Sequence, residues 1–316
     1  MGMNYQKKAI EIMDNVSKVI VGKEDVTKLV LTSLIAGGHV LLEDVPGTGK
    51  TMLAKTVAKS VDAQFSRIQF TPDLLPSDVT GINYYNQKAG EFVFRRGPVF
   101  SNILLADEIN RATPRTQSSL LESMEEHQAT IDGVTMELPD PFFVIATQNP
   151  VESSGTFPLP EAQLDRFIMQ IPMGYPNREG EREILHRFAA DNPLLTLESV
   201  CTKEELAAMQ KQCEEVYAAP VIEDYILDLV EATRKHNNIA LGVSPRGALV
   251  FLRAAKCYSA LKGEHFVTPE TVKYLAPFVL SHRLILEDVY STNKKAADYI
   301  EEITHFVTAP TEDFAK

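Results

Sequence analysis

Apolar positions along the chain fall into three regimes. Ile10, Ile12, Met13, Val16 and Val19 lie at near-helical spacing across residues 4–19, and Ile20-Val21-Gly22-Lys23-Glu24 interrupts them. Val26, Leu29, Val30 and Leu34 predict a second helix over 24–36, closed by Gly37-Gly38. Short apolar runs then alternate with amphipathic ones. Strands are expected at 39–43, 65–70, 102–106, 142–146 and 167–171, the last stopped by Pro172. Between them, Leu53, Val57, Ala58 and Val61 share one helical face, and a helix is expected over 114–127 with Pro114 in its first turn. Residues 129–136 alternate around Asp132-Gly133, a strong hairpin signal.

From Tyr175 onward the strand pattern stops, and helices are expected at 178–190, 202–218, 221–236, 245–262 and 269–281. Thr202-Lys203-Glu204-Glu205 has capping-box form, and Ser244-Pro245 and Thr268-Pro269 each set an N-cap before a proline. Apolar strands alternating with helices imply an α/β fold, a five-stranded parallel sheet covered on both faces. The expected division is residues 1–174, an α/β nucleotide-binding domain with N-terminal helices, and 175–316, a smaller all-α domain. Residues 71–100, rich in Pro and Gly, are too long for a plain connection and read as an insertion. Its Tyr84-Tyr85 and Phe92–Arg96 segments suggest a hairpin, either functional or simply packed on the surface.

The chemistry belongs at the C-terminal ends of such strands. After the first strand comes Asp44-Val45-Pro46-Gly47-Thr48-Gly49-Lys50-Thr51 and then a helix. Glycines let successive N–H groups turn inward on an anion, and the helix N-terminus adds partial positive charge. Lys50 reaches β- and γ-phosphates in this arrangement, and Thr51 offers its hydroxyl to Mg²⁺. Pro46, Gly47, Thr48, Gly49, Lys50, Thr51 and the adjacent Met52 are the expected nucleotide-binding positions. The usual first glycine is replaced by Asp44, at the start of the turn, where Asp tolerates left-handed backbone. After the third strand, Asp107 can hold Mg²⁺ through water and Glu108 can polarise an attacking water; alone the pair also fits a solvated strand end. Asn149 ends another strand, where it can orient that water or serve as a turn-former before Pro150.

Bulk properties narrow the class only modestly. The chain has 316 residues, long enough for two domains, with 44% hydrophobic and 23% charged residues, an ordinary globular balance. Thirty-one basic against 43 acidic residues give a net charge of −12, which argues against a dedicated nucleic-acid binder. No apolar run approaches the ~20 residues of a membrane span. Cys201, Cys213 and Cys257 have no paired spacing, which suits the cytoplasm and argues against disulfides or a zinc site.

Together these motifs resemble the AAA+ ATPases, with Walker A at 46–51 and Walker B at 103–108. Asn149 matches sensor 1, and Leu164-Asp165-Arg166-Phe167 is similar to the arginine-finger segment. Ser244-Pro245-Arg246-Gly247 is similar to sensor 2, and Ile20-Val21-Gly22 resembles the adenine-pocket segment, giving Val21 and Gly22 a binding role. The wording of Asp107–Ala112, Gln117–Glu126 and Phe157–Phe167 is similar to the MoxR family in particular. The resemblance implies ATP and Mg²⁺ as ligands and an AAA+ core followed by a helical lid. It implies Arg166 acting in trans within a ring, a hexamer being the implied form, and Arg246 acting in cis; surface ion pairs, such as Arg166 with Asp165 or Glu161, are the alternative. It further implies a partner with a von Willebrand factor A domain and an unidentified client. Insert loops and hairpins in related rings face a pore or client. Arg111 and Arg115 are candidates for a subunit interface or are simply helix-surface arginines. Asp44→Gly is expected to leave ATP binding nearly unchanged.

Four competing readings follow from the same residues. Asp78-Val79-Thr80-Gly81 has the form of a GTPase switch, but no apolar strand precedes it and Asn293-Lys294-Lys295-Ala296 lacks the guanine-reading Asp. Arg95-Arg96 on the hairpin would suit a nucleic-acid-stimulated motor, which the acidic balance opposes. A metal-chelatase motor subunit uses the same ATPase chemistry. A nucleotide-locked scaffold leaves Glu108 without a purpose.

Overall fold

A computed structural model of the chain describes residues 5–43, 47–149, 155–190, 192–287 and 294–311. Helices α1 (Tyr5–Ser17) and α2 (Glu24–Ile35) precede strand β1 (His39–Glu43), and α3 (Lys50–Ser60) and β2 (Phe65–Gln69) follow it. The insertion forms α4 (Pro76–Thr80) and an antiparallel hairpin, β3 (Gly81–Asn86) and β4 (Glu91–Arg96). Next come β5 (Ile103–Asp107), α5 (Pro114–Glu126), a second hairpin of β6 (Gln128–Ile131) and β7 (Val134–Glu137), β8 (Phe143–Gln148), α6 (Glu161–Leu164) and β9 (Phe167–Pro172). The Asp132-Gly133 turn has both residues at positive φ, 50° and 80°, which a two-residue hairpin turn requires.

Five strands form one parallel sheet in the order β2-β5-β8-β1-β9. Strand alternation splits their side chains between two cores. Val40, Leu42, Ile103, Leu105, Phe143 and Ile145 face one side, against α1, α2 and α3. Leu41, Leu104, Ala106, Val144 and Ala146 face the other, against Leu120, Leu121 and Met124 of α5. Both faces are therefore buried, which is why these strands read as unbroken apolar runs. The register sets Glu43 beside Gln148 and Gln69 beside Asp107, so the motifs that follow β1, β5 and β8 leave one edge of the sheet.

Beyond β9 lie α7 (Arg178–Ala190), α8 (Pro193–Thr196), α9 (Lys203–Glu214), α10 (Pro220–Lys235), β10 (Ile239–Leu241), α11 (Pro245–Lys262), α12 (Pro269–Leu280), β11 (Ile285–Leu286) and α13 (Ala296–Phe306). Together they make a largely helical region. It is not wholly free of strands, because β10 and β11 pair antiparallel. Its core residues Met209, Leu229, Phe251 and Leu275 belong to the same cluster as the α1–α3 face of the sheet. Helix α1 packs on both α3 and α11, so it straps the phosphate-loop helix to the lid. Asn15 supports this strap by donating to Ser60 Oγ at 3.0 Å and to the Glu198 carbonyl at 2.9 Å.

One expectation from the cysteines fails. Cys213 of α9 and Cys257 of α11 form a disulfide, with Cα atoms 4.9 Å apart. Sequence spacing carries no information about residues on two helices that fold against each other. Cys201 is a buried free thiol, and burial pushes its pKa up to about 12. Among the described residues, no helix is long and apolar enough to cross a membrane.

Candidate active site at the strand ends

The phosphate loop enters α3 through Gly49, whose φ of 95° is left-handed; Gly47 has φ 91°. A Cβ at either glycine would meet nothing within 4 Å, so the requirement is conformational and the space over both is open. Lys50 and Thr51 open the helix. Asp44, Val45, Pro46 and Pro150 lie outside the described residues.

Beside this loop is a cavity of about 590 Å³. Gly47, Thr48, Gly49 and Met52 form its floor, Val21 and Met173 one wall, and Ile184 and Phe188 of α7 another. Buried Lys23, itself part of the lining, fixes this wall: its Nζ donates to the carbonyls of Met173 at 2.6 Å and Gly174 at 2.7 Å. Gly22 has φ 65°, which lets the chain turn between Val21 and Lys23. An apolar slot ending in a ring of loop amides fits a purine nucleotide with its phosphates on the α3 N-terminus.

The acidic pair is held by residues from neighbouring strands. Thr147 on β8 is completely buried; its Oγ1 donates to Asp107 Oδ1 at 2.8 Å and accepts from the Glu108 N–H at 2.9 Å. Arg67 on β2 donates to Asp107 Oδ2 at 2.7 Å. Glu108 Oε2 accepts from Gln69 Nε2 at 2.9 Å and forms an ion pair with Arg111 Nε at 2.9 Å. Glu108 itself sits in left-handed backbone, φ 54° and ψ 50°, which costs a non-glycine residue on the order of 1–2 kcal/mol. Asn149 is buried at the end of β8, between the loop strand β1 and the acidic strand β5.

Two expected site residues lie elsewhere. Arg166 immediately precedes β9, whose first residue Phe167 pairs with His39 at the start of β1. Its Nε meets Glu125 Oε2 at 2.9 Å, and Arg246 Nη1 meets Glu125 Oε1 at 2.8 Å. Glu125 follows Met124, whose carbonyl lies 3.1 Å from His39 Nε2. Both arginines thus gather at the strand-start edge, roughly 13 Å along β1 from the edge that feeds the phosphate loop. The resemblance implied a cis role for Arg246; the structure sets the start of α11 beside the Arg166 segment. Arg111 pairs with Glu108 of its own chain, which ties it to the acidic pair. Asp78 caps α4 by accepting from the Leu75 N–H at 2.9 Å, so it is no switch aspartate, and Asn293 lies outside the described residues.

The sequence matches the family model for "ATPase family associated with various cellular activities (AAA)" over residues 39–169 and the AAA lid domain over 231–303. It is 42% identical over 280 residues to Chaperone MoxR1 of Mycobacterium tuberculosis, covering 86% of this chain and 74% of that one. This chain belongs to the MoxR family of AAA+ ATPases. The MoxR protein of Methylorubrum extorquens is 30% identical over 334 residues, covering 97% and 96% of the two chains. An uncharacterised Bacillus subtilis protein, YeaC, is 50% identical over 301 residues, or 95% and 94%. A crystal structure of a candidate ATPase from Cytophaga hutchinsonii superimposes with a TM-score of 0.91 at 41% identity, covering 97% and 96%. The MoxR assignment brings nucleotide binding at the family level.

Motif spacing does not single out Thr147, Gln69 or Arg67. Thr147 carries a signal, because β8 runs on to Gln148 and a polar residue in an otherwise apolar buried strand asks for a partner. Gln69 and Arg67 alternate with the inward residue Ile68, which gives only an outward direction.

Proposed function

We propose that this MoxR-family chain hydrolyses ATP to ADP and phosphate and uses the cycle to remodel or mature a partner protein complex in the cytoplasm, where that nucleotide is abundant. The reading rests on one observation: Gly47–Thr51, Asp107-Glu108 and Asn149 leave the same edge of three adjacent strands. The loop amides and Lys50 bind the phosphates, and the Val21–Gly22 segment and Met52 hold the base. Thr51 and Asp107 are the residues for Mg²⁺, which supplies charge neutralisation on the phosphates. Both Asp107 oxygens are engaged here, so half-exposed Arg67 yields Oδ2 for that role. Glu108 accepts the proton of the attacking water, and Asn149 orients it. Gln69 and Arg111 hold Glu108 back until the nucleotide is seated.

Arg166 and Arg246 serve the nucleotide of the adjoining subunit, since their shared edge faces away from their own loop. This requires a ring, which we take to be a hexamer, with the division between core and lid near residues 174–175. The two hairpins are joined by Asn83 Nδ2 donating to Asp132 Oδ2 at 2.8 Å, and they expose Tyr85, Phe92 and Val134. They are the surface we assign to a client, and a von Willebrand factor A protein is the partner class to look for first.

Glu108→Gln is the deciding variant. Turnover falls by ~10²–10⁴-fold while ATP affinity is retained. The ATP-trapped variant then serves as bait for the client. A Glu108→Gln chain that turns over ATP at the parent rate would remove the assignment of Glu108.

A further inference from the structure

The carboxylate of Glu125 is the point where three separately anchored elements converge. It lies at the C-terminal end of α5, whose Met124 carbonyl is fixed on His39. The Arg166 segment is pinned by Arg283 of the lid, whose Nε donates to Asp165 Oδ1 at 2.7 Å and whose Nη2 donates to the Phe167 carbonyl at 2.7 Å. Arg246 sits in the first turn of α11, a turn set by Ser244 accepting from the Gly247 N–H at 3.2 Å. None of these anchors depends on Glu125. Without it, two guanidinium groups would face each other across a partly solvated gap and repel.

The donor geometry favours a preset pair. Arg166 meets Glu125 through Nε at 2.9 Å, and its two terminal nitrogens have no partner among the described residues. Arg246 spends only Nη1. One carboxylate thus draws both cations together and leaves each guanidinium with unspent donors in one plane, the kind of donor pair that phosphate oxygens match. The Arg246 hydrogen bond, followed by the charges of Arg166 and Arg246, holds the Glu125 carboxyl below its usual range.

We propose that Glu125 is a positioning residue that assembles Arg166 and Arg246 into a single two-arginine clamp for the γ-phosphate bound by the neighbouring subunit. The proposal rests on the shared-site reading given above.

The test uses full-length chain and steady-state ATP hydrolysis. Glu125→Ala lowers kcat by about tenfold to a hundredfold, the scale of a misplaced group, while KM for ATP and binding of ATP to the dilute chain stay unchanged. Glu125→Asp recovers part of the rate, and Glu125→Gln recovers less, since its amide repels one arginine. Glu125 is a surface residue, and thermal melting of all three variants checks that they fold. Mixing then locates the defect. Glu125→Ala subunits keep an intact Glu108, and Glu108→Gln subunits keep an intact clamp, so mixed rings regain turnover. Arg166→Ala mixed with Glu108→Gln is the reference. If that reference recovers and the Glu125→Ala mixture does not, Glu125 has no role through the arginines and the proposal falls. Parent-level kcat in Glu125→Ala overturns it as well. If the Arg166→Ala reference itself fails to recover, the shared-site reading is what has failed.

Discussion

A single hydroxyl, that of Thr147, connects the Asp107 carboxylate to the backbone of Glu108. Thr147→Val keeps the shape but leaves a buried carboxylate oxygen and an N–H short of a partner. A loss of about 1–3 kcal/mol in unfolding free energy is expected, with lower turnover, and Thr147→Ser should restore both. Denaturant midpoints and ATPase rates of the two variants check this. Two buried histidines set a pH limit. Burial pulls His39 down to about 4, and burial together with Arg283 pulls His282 well below its usual value. Both are neutral in the fold and take up protons on unfolding, so stability is complete above pH ~6.5 and declines as pH falls toward 4. For His39 alone, about 2 kcal/mol is lost between pH 8 and pH 5. Unfolding curves at those two pH values test it, and the decline should be shallower in His39→Asn. At this scale, legibility follows chain contiguity. Lys50, Asp107 and Glu108 are readable because each motif is complete within one loop or strand end. Gln69, Arg67 and Thr147 reach the same carboxylates from other strands, and only the sheet order brings them together.

Among the elements, the end of α12 does the most to join lid and sheet. The turn Ser281–Arg283 buries Arg283, whose guanidinium also donates to the Val279 carbonyl and approaches the Ile168 carbonyl at 3.5 Å. Burial lowers its pKa to about 10, yet it stays charged at neutral pH beside Asp165. Arg283→Met removes the partner of the Asp165 carboxylate and one of two side-chain contacts to the Phe167 carbonyl, leaving His282 Nε2 at 2.9 Å. A destabilisation of about 3 kcal/mol is expected, together with slower ATP turnover because the Arg166 segment loosens; equilibrium unfolding and ATPase assays report the two effects. Helix starts are legible because the caps are local: Thr202, Ser244 and Thr268 each accept the N–H that their spacing anticipates. The pair β10 and β11 is not, because Ile239–Leu241 is too short to declare itself and its partner lies at 285–286. Helix α13 is absent from the sequence expectations, although its Tyr299, Ile300 and Ile303 fill the lid core. Its apolar face is closed by α10 and α12, which lie well back in the chain.

For the molecule as a whole, the phosphate loop and the arginine pair lie at opposite edges of one sheet. Association should therefore depend on nucleotide. Native mass measured with ATP and Glu108→Gln is expected to show a closed ring, and measurement without nucleotide smaller species. A chain that stays monomeric and still loses its ATPase activity on Arg166→Ala would contradict the shared site. The parallel sheet and helical lid are legible from the alternation of strands and helices. The seating of the lid is not, because it is decided by α1 and by Arg283, whose partners lie more than a hundred residues away. The separation of loop and arginines also has an arithmetic consequence. On the shared-site reading proposed above, an open row of subunits leaves one phosphate loop at its end without arginines, so a pair of subunits would complete one site of two. Only closure would make the number of working sites equal the number of subunits, so specific activity per subunit should rise with assembly size and be highest in the closed ring.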